Sequence, residues 1–313
     1  MDVSSFVTFR NKLVENCGKA IIGKDEVIEQ LVVALISGGH ILLEDVPGTG
    51  KTMLLRAFAK SIGGDFRRIQ FTPDIMPADL TGINFYNQKT GEFEFRPGPL
   101  FGQIILADEI NRATPRSQSA LLEVMEEKQI SVDGATYPMK SPYMVMATQN
   151  PVENYGTFPL PEAQMDRFFM RLSLGYMTRE QEISVMRRED TRAIIDSLDR
   201  VVDREELSSL KTAFGAVRVS DDVAAYMMDI VDYTRKSDAL SCGVSTRGAV
   251  ALYRASQICA AMQGRDYVIP EDVKREAVCV LPHRLTIISG RHTDSVRFTL
   301  NMLDEVPVPL ENK

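Results

Sequence analysis

The sequence predicts an α/β fold: a five-stranded parallel sheet with helices on both faces, followed by a smaller C-terminal all-α domain. Three observations carry this expectation. Short apolar runs of the kind buried on both faces of a parallel sheet recur at 41–43, 69–71, 104–107, 144–147 and 168–172. Helical stretches, such as 51–62 and 116–126, lie between them, as crossovers between parallel strands require. After about Gly175 the texture becomes mostly helical, so the predicted units are residues 1–175 and 176–313.

Each element has its own signal. Val27, Ile28, Leu31, Val32 and Leu35 fall at helical spacing, and Gly38-Gly39 stops that helix just before the first strand. Two segments break the α/β rhythm. Ile83 and Phe85, then Phe93 and Phe95 beyond Gly91, alternate with polar residues and predict a hairpin. A second hairpin is predicted at 130–137, where Asp133-Gly134 supplies the positive φ angles of a tight turn. Neither hairpin is needed to complete the sheet, so both are expected to project as working loops. In the second unit, 180–188, 222–235, 247–262 and 270–280 are the clearest helices.

Composition narrows the function. The 313 residues carry a formal charge of −7, which disfavours a surface built to hold nucleic-acid phosphates, although a local basic groove could hide in that average. Cys17, Cys242, Cys259 and Cys279 form no CxxC pair and no metal-ligand rhythm with His40, His283 and His292, so they read as reduced and structural. The first residues show no basic start followed by an apolar core, and the apolar stretch 31–43 is broken by Ser37-Gly38-Gly39-His40. The chain is therefore expected in the cytoplasm, without membrane insertion.

The segment Asp45-Val46-Pro47-Gly48-Thr49-Gly50-Lys51-Thr52 lies between a buried strand and a helix, the setting of a phosphate-binding loop. Gly48 and Gly50 let backbone amides turn toward phosphate oxygens, and the helix presents its positive end to the same charge. Lys51 is placed to reach the β and γ phosphates, and the Thr52 hydroxyl to hold Mg2+. One departure stands out. The pattern GxxxxGK[ST] asks for glycine where this chain has Asp45, whose carboxylate would repel a nearby phosphate; Asp45 is therefore read as ending the strand and pointing its side chain away from the loop.

The strand at 104–107 runs into Asp108 and Glu109, two adjacent carboxylates at a buried strand's end, where a cation is expected nearby. Asp108 suits a metal held through water, and Glu109 suits a base that orients the attacking water; simple helix capping is the plain alternative. The next strand leads to Asn150, which can sense the γ-phosphate or the water, or merely form a turn amide before Pro151. Lys51, the acidic pair and Asn150 each follow a separate parallel strand, and the carboxyl ends of such strands share one edge. Arg167 precedes its strand. It is expected away from its own phosphates and able to serve a neighbouring subunit, the alternative being a surface pair with Asp166 or Glu162. Arg247 opens a helix of the second unit, from which it could reach the γ-phosphate on closure or simply be solvated.

Together these residues resemble the AAA+ ATPases. The strings Asp108-Glu109-Ile110-Asn111-Arg112-Ala113, Ala147-Thr148-Gln149-Asn150-Pro151, 161–168 and Leu281-Pro282-His283-Arg284-Leu285 are similar to the MoxR branch, over nearly the whole chain. The resemblance implies an AAA+ P-loop core with a hairpin inserted in its second helix, another before sensor 1, and a helical lid. It implies ATP and Mg2+ as cofactors. It places Lys51 and Thr52 on Walker A, Asp108 and Glu109 on Walker B, Asn150 on sensor 1, Arg167 on the arginine finger, Arg247 on sensor 2, and Ile22-Gly23 along the adenine. It also implies a homo-oligomeric ring, a hexamer, acting on protein clients, among them proteins with von Willebrand factor A domains, in remodelling, assembly or metal-cofactor insertion. A DNA-dependent motor and a slow nucleotide-gated scaffold are the rival functions. His283 and many of the fifteen methionines are expected to be packing residues.

Overall fold

A computed structural model describes residues 3–45, 48–149, 156–188, 190–288 and 292–309. Pro47 and Asn150 lie outside the described residues. The strands in chain order are β1 (Ile41–Glu44), β2 (Phe66–Gln70), β3 (Gly82–Asn87), β4 (Glu92–Pro97), β5 (Ile104–Asp108), β6 (Gln129–Val132), β7 (Ala135–Pro138), β8 (Met144–Gln149), β9 (Met170–Leu172), β10 (Leu240–Cys242) and β11 (Thr286–Ile287). The five-stranded sheet has the order β2-β5-β8-β1-β9, and every pairing in it is parallel. β5 and β8 are apolar and buried almost throughout because helices cover both faces, which is why their sequences run without alternation.

The helices of the first half are α1 (Ser4–Gly18), α2 (Asp25–Ser37), α3 (Lys51–Ile62), the single turn α4 (Pro77–Thr81) and α5 (Pro115–Glu127). α1, which the sequence reading passed over, buries Phe6, Phe9, Leu13 and Cys17, four positions on one helical stripe, against α2 and α3. α2 is buried at nearly every position from Ile28 to Ile36 because a helix of the second unit lies on its far side.

The rest of the chain adds α6 (Glu162–Met165), α7 (Arg179–Met186), α8 (Thr191–Asp196), α9 (Arg204–Ala213), α10 (Asp221–Lys236), α11 (Thr246–Met262), α12 (Pro270–Val280) and α13 (His292–Glu305). After Gly175 the chain first covers the α/β unit, with α8 on α3 and α9 on α2. α10 to α13 then form the helical lid. α11 packs on α1 and α2, so one apolar cluster runs from Phe6 through Ile28 to Leu252 and Ala277.

Both predicted hairpins form, β3 with β4 and β6 with β7. They dock on one another through Phe95 and Tyr137, stacked with ring centres 4.5 Å apart, and through Asn84, which donates to Asp133 at 2.7 Å. Tyr86 and Phe93 stay exposed on the longer hairpin.

Candidate functional site

All carboxyl ends of the parallel strands lie along one edge of the sheet, and Lys51, Thr52, Asp108 and Glu109 meet there. A cavity of about 390 Å³ is lined by Asp45, Gly48, Gly50, Lys51, Thr52, Met53, Arg68, Asp108, Glu109 and Thr148. Gly48 and Gly50 both have φ near +87°, a conformation that side chains resist. A Cβ at either would touch nothing within 4 Å, so the requirement is the backbone turn and the open approach to a ligand, not packing. Gly50 caps α3, aiming the helix's first N–H groups into the cavity. The Lys51 ammonium rests on the Asp45 carbonyl at 3.1 Å, within the same space.

Asp45 does not face the phosphate position. Its carboxylate is buried behind the loop, where Oδ1 accepts from Ser173 Oγ (2.7 Å) and Gly175 N (3.1 Å) and Oδ2 accepts from Leu174 N (2.7 Å). Lys24, also buried, donates to the carbonyls of Leu174, Gly175 and Tyr176. The pair thus clamps the turn after β9 from both sides, and a glycine in place of Asp45 could not do so.

A hydrogen-bond chain organises the acidic pair. Thr148 Oγ1 donates to Asp108 Oδ1 (2.7 Å) and accepts from Glu109 N (2.8 Å). Arg68 holds Asp108 Oδ2, and Gln70 Nε2 donates to Glu109 Oε2 at 2.8 Å. Arg112 pairs with the same oxygen at 3.2 Å. Glu109 sits at φ 57°, a left-handed conformation costing a non-glycine residue about 1 kcal/mol or more, a strain that tends to gather at functional sites. The donor set suits a magnesium ion, which needs one or two protein oxygens beside phosphates and waters, and the charge on Asp108 is already balanced by a cation in this cavity.

Arg167 and Arg247 lie elsewhere. Arg167 precedes β9 and therefore sits at the amino edge of the sheet, separated from Lys51 by the length of the strands, about 13 Å for the four residues of β1. Its partner is neither Asp166 nor Glu162 but Glu126 at the end of α5, Nε to Oε2 at 3.0 Å. Asp166 is taken by Arg284 of the lid. Arg247 does not line the cavity of Lys51 and is not simply solvated: it meets the other oxygen of Glu126 at 2.5 Å. Both arginines line a second cavity of about 450 Å³ with His40, Lys128 and Arg254. The cause is the docking of α11. Arg284, buried, donates to Asp166, Phe168 O and Phe169 O, and His283 Nε2 lies 3.0 Å from Phe168 O, which ties the lid to the segment before β9. Burial and the adjacent guanidinium hold His283 well below the usual imidazole range, so it is a neutral packing residue as expected.

Ile22 is half-buried and Gly23 exposed, with the Gln181 side chain lying over Gly23 closely enough that a Cβ would collide at 2.0 Å. Gln181 belongs to α7, whose Glu182, Val185 and Met186 line a further cavity with Gly48, Thr49, Gly175 and Tyr176. Sequence reasoning did not single out Thr148, Arg68, Gln70, Lys24 or this segment. Thr148 lay inside a quoted string one strand away from its partners, and nothing local marked the others.

Comparison with known proteins accords with this geometry. Residues 40–170 match the ATPase family associated with various cellular activities, and residues 232–298 match the AAA lid domain. The chain is 40% identical to the chaperone MoxR1 of Mycobacterium tuberculosis, over 89% of this chain and 76% of that protein. The chain belongs to the MoxR family of AAA+ ATPases. It is also 49% identical to YeaC of Bacillus subtilis (88% of this chain, 86% of that protein) and 31% identical to the MoxR protein of Methylorubrum extorquens (85% and 84%). A crystal structure of a candidate ATPase from Cytophaga hutchinsonii superposes with a TM-score of 0.89 at 38% identity, covering 98% of both chains. The fold is therefore the AAA+ core with its helical lid, and the activity is ATP hydrolysis. Among the described residues no helix is long and apolar enough to cross a membrane.

Proposed function

We propose that this MoxR-family ATPase works as a ring of identical subunits, a hexamer, in which Arg167 and Arg247 of one copy complete the nucleotide site of the next. The observation that carries the proposal is their meeting on Glu126 at the amino edge of the sheet, opposite the cavity of Lys51. Both guanidinium groups are held on Glu126 and neither lines the cavity of its own Lys51, whereas a neighbour's phosphates can approach the exposed side of the cavity the two arginines share.

Within one site, Gly48, Gly50 and Lys51 bind the phosphates, and Thr52 with Asp108 would hold Mg2+, which supplies charge neutralisation on the β and γ oxygens. Glu109 orients the attacking water and accepts its proton, with its backbone pinned by Thr148. Asn150 and Pro47 retain their sequence-based assignments to γ-phosphate sensing and the phosphate loop. Ile22 and Gly23, under α7, are assigned to the adenine side.

The work done is remodelling or assembly of protein partners, a reading supported by the chaperone name of the M. tuberculosis relative. Proteins with von Willebrand factor A domains are the expected clients, and metal-cofactor insertion is one such assembly task. The charges of the longer hairpin balance, Lys89 and Arg96 against Glu92 and Glu94, which gives it no electrostatic footprint for nucleic acid. Mixing Lys51→Ala with Arg167→Ala protein should restore ATPase activity, since some interfaces then pair an intact pocket with an intact arginine. Mixed rings that assemble yet never regain turnover would end the trans assignment.

A further inference from the structure

The second strand of the sheet supplies a cation to the nucleotide cavity that neither the phosphate loop nor the arginine pair accounts for. β2 pairs in register with β5, Gln70 beside Asp108 and Arg68 beside Leu106. From there the Arg68 guanidinium reaches back to Asp108, Nη2 at 2.6 Å and Nε at 3.1 Å from Oδ2, and Nη2 also donates to Gln70 Oε1 at 2.8 Å. With Thr148 on Oδ1, both oxygens of Asp108 are engaged, one of them by a full positive charge. The Arg68 side chain is 49% exposed while that of Asp108 is 16% exposed, so the arginine is free to swing into solvent and the carboxylate is fixed. Arg67, the next residue of the strand, pairs instead with Asp65 at 3.1 Å and does not line the cavity.

We propose that Arg68 is the resident counter-cation of the nucleotide site, holding Asp108 in place in the absence of metal and competing with the divalent cation for Oδ2. The inference rests on the assignment of Asp108 to the metal. A guanidinium at 2.6 Å occupies the side of the oxygen from which a cation would approach, and two positive charges on one oxygen repel each other. The metal therefore enters only as Arg68 leaves. Such a site holds a bare cation poorly and favours one that arrives with phosphate oxygens as additional ligands. The displaced guanidinium remains beside Lys51, where those same phosphates receive it.

The test reads the metal directly. Mn2+ bound to the full-length protein at saturating ADP is counted by electron paramagnetic resonance, with ADP binding followed in parallel by calorimetry. Arg68→Ala should tighten Mn2+ binding about fivefold, the order expected for removing one half-exposed ion pair. Arg68→Lys should stay near the unsubstituted protein, and Arg67→Ala should leave Mn2+ binding unchanged although it removes the same charge from the same strand. Equal or weaker Mn2+ binding in Arg68→Ala overturns the proposal, as does an equal gain in Arg67→Ala. An unsubstituted protein that binds ADP but no Mn2+ would remove the metal from Asp108, and with it any competition; an absence of ADP binding would instead strike the nucleotide assignment itself.

Discussion

Replacing Asp45 by alanine separates two accounts of the residue that stands where the P-loop pattern has its first glycine. If the carboxylate faced the phosphates at about 5 Å, one unit of repulsion at an effective dielectric near 20 would cost about 3 kcal/mol, and its removal would tighten ADP binding about a hundredfold. The structure gives the opposite expectation. The carboxylate accepts from Ser173, Leu174 and Gly175, and Leu174 N is buried. Alanine would orphan these donors, at about 1–3 kcal/mol for each one left buried, so Asp45→Ala should lose about 3 kcal/mol of unfolding free energy. Because the turn after β9 borders the cavity at Gly48, ADP affinity should stay level or fall. Urea denaturation and calorimetric titration with ADP measure the two quantities. A variant that binds ADP about a hundredfold tighter, with its unfolding free energy unchanged, would refute the placement of this carboxylate.

Two further outcomes are expected. Thr148→Val keeps the shape of a side chain that bonds both Asp108 and the backbone of Glu109, so kcat for ATP should fall about 10- to 100-fold while ADP affinity is nearly unchanged; undiminished turnover would remove Thr148 from the alignment of the water. Burial raises the Glu276 carboxyl to about 7, against the opposing bond from Gln30, so the folded chain binds this proton more tightly than the unfolded one. The associated stability is complete below the ordinary carboxylate range and is lost as pH rises through about 7, with an amplitude of about 3 kcal/mol. Urea midpoints at acidic and alkaline pH should therefore converge in Glu276→Gln, and an unaltered pH dependence would show that other groups carry it.

Much of the fold was legible in the chain because its signals are local. Apolar runs at β1, β5, β8 and β9, the Gly48-Thr49-Gly50-Lys51 turn and the Asp133-Gly134 hairpin each report on their own few residues, whereas the run at 69–71 marks only the end of β2, an edge strand exposed at Arg67, Arg68 and Gln70. The errors at element ends follow from the same locality. β9 is only Met170–Leu172, because Phe168 and Phe169 are engaged elsewhere, Phe169 N by the carbonyl of His40 and both carbonyls by Arg284. α1 lacks such local marks: its N-cap, Val3, makes no side-chain cap and its C-cap is Lys19 in place of a glycine, so only the stripe of Phe6, Phe9, Leu13 and Cys17 signals it.

Sequence by itself determined which chemistry the protein can perform: a phosphate loop, an acidic pair and an arginine ahead of the last strand require only side-chain types at set distances from strands. Tertiary structure decided where each group points. Hydrogen bonds and ion pairs join residues far apart in the chain, 129 positions from Leu174 to Asp45 and 121 from Arg247 to Glu126, and no local pattern encodes the direction of such a side chain. For that reason Asp45, already expected to point away from phosphate, gains its role as a clamp only through Ser173, Leu174 and Gly175, and Arg247 its place beside Arg167 on Glu126.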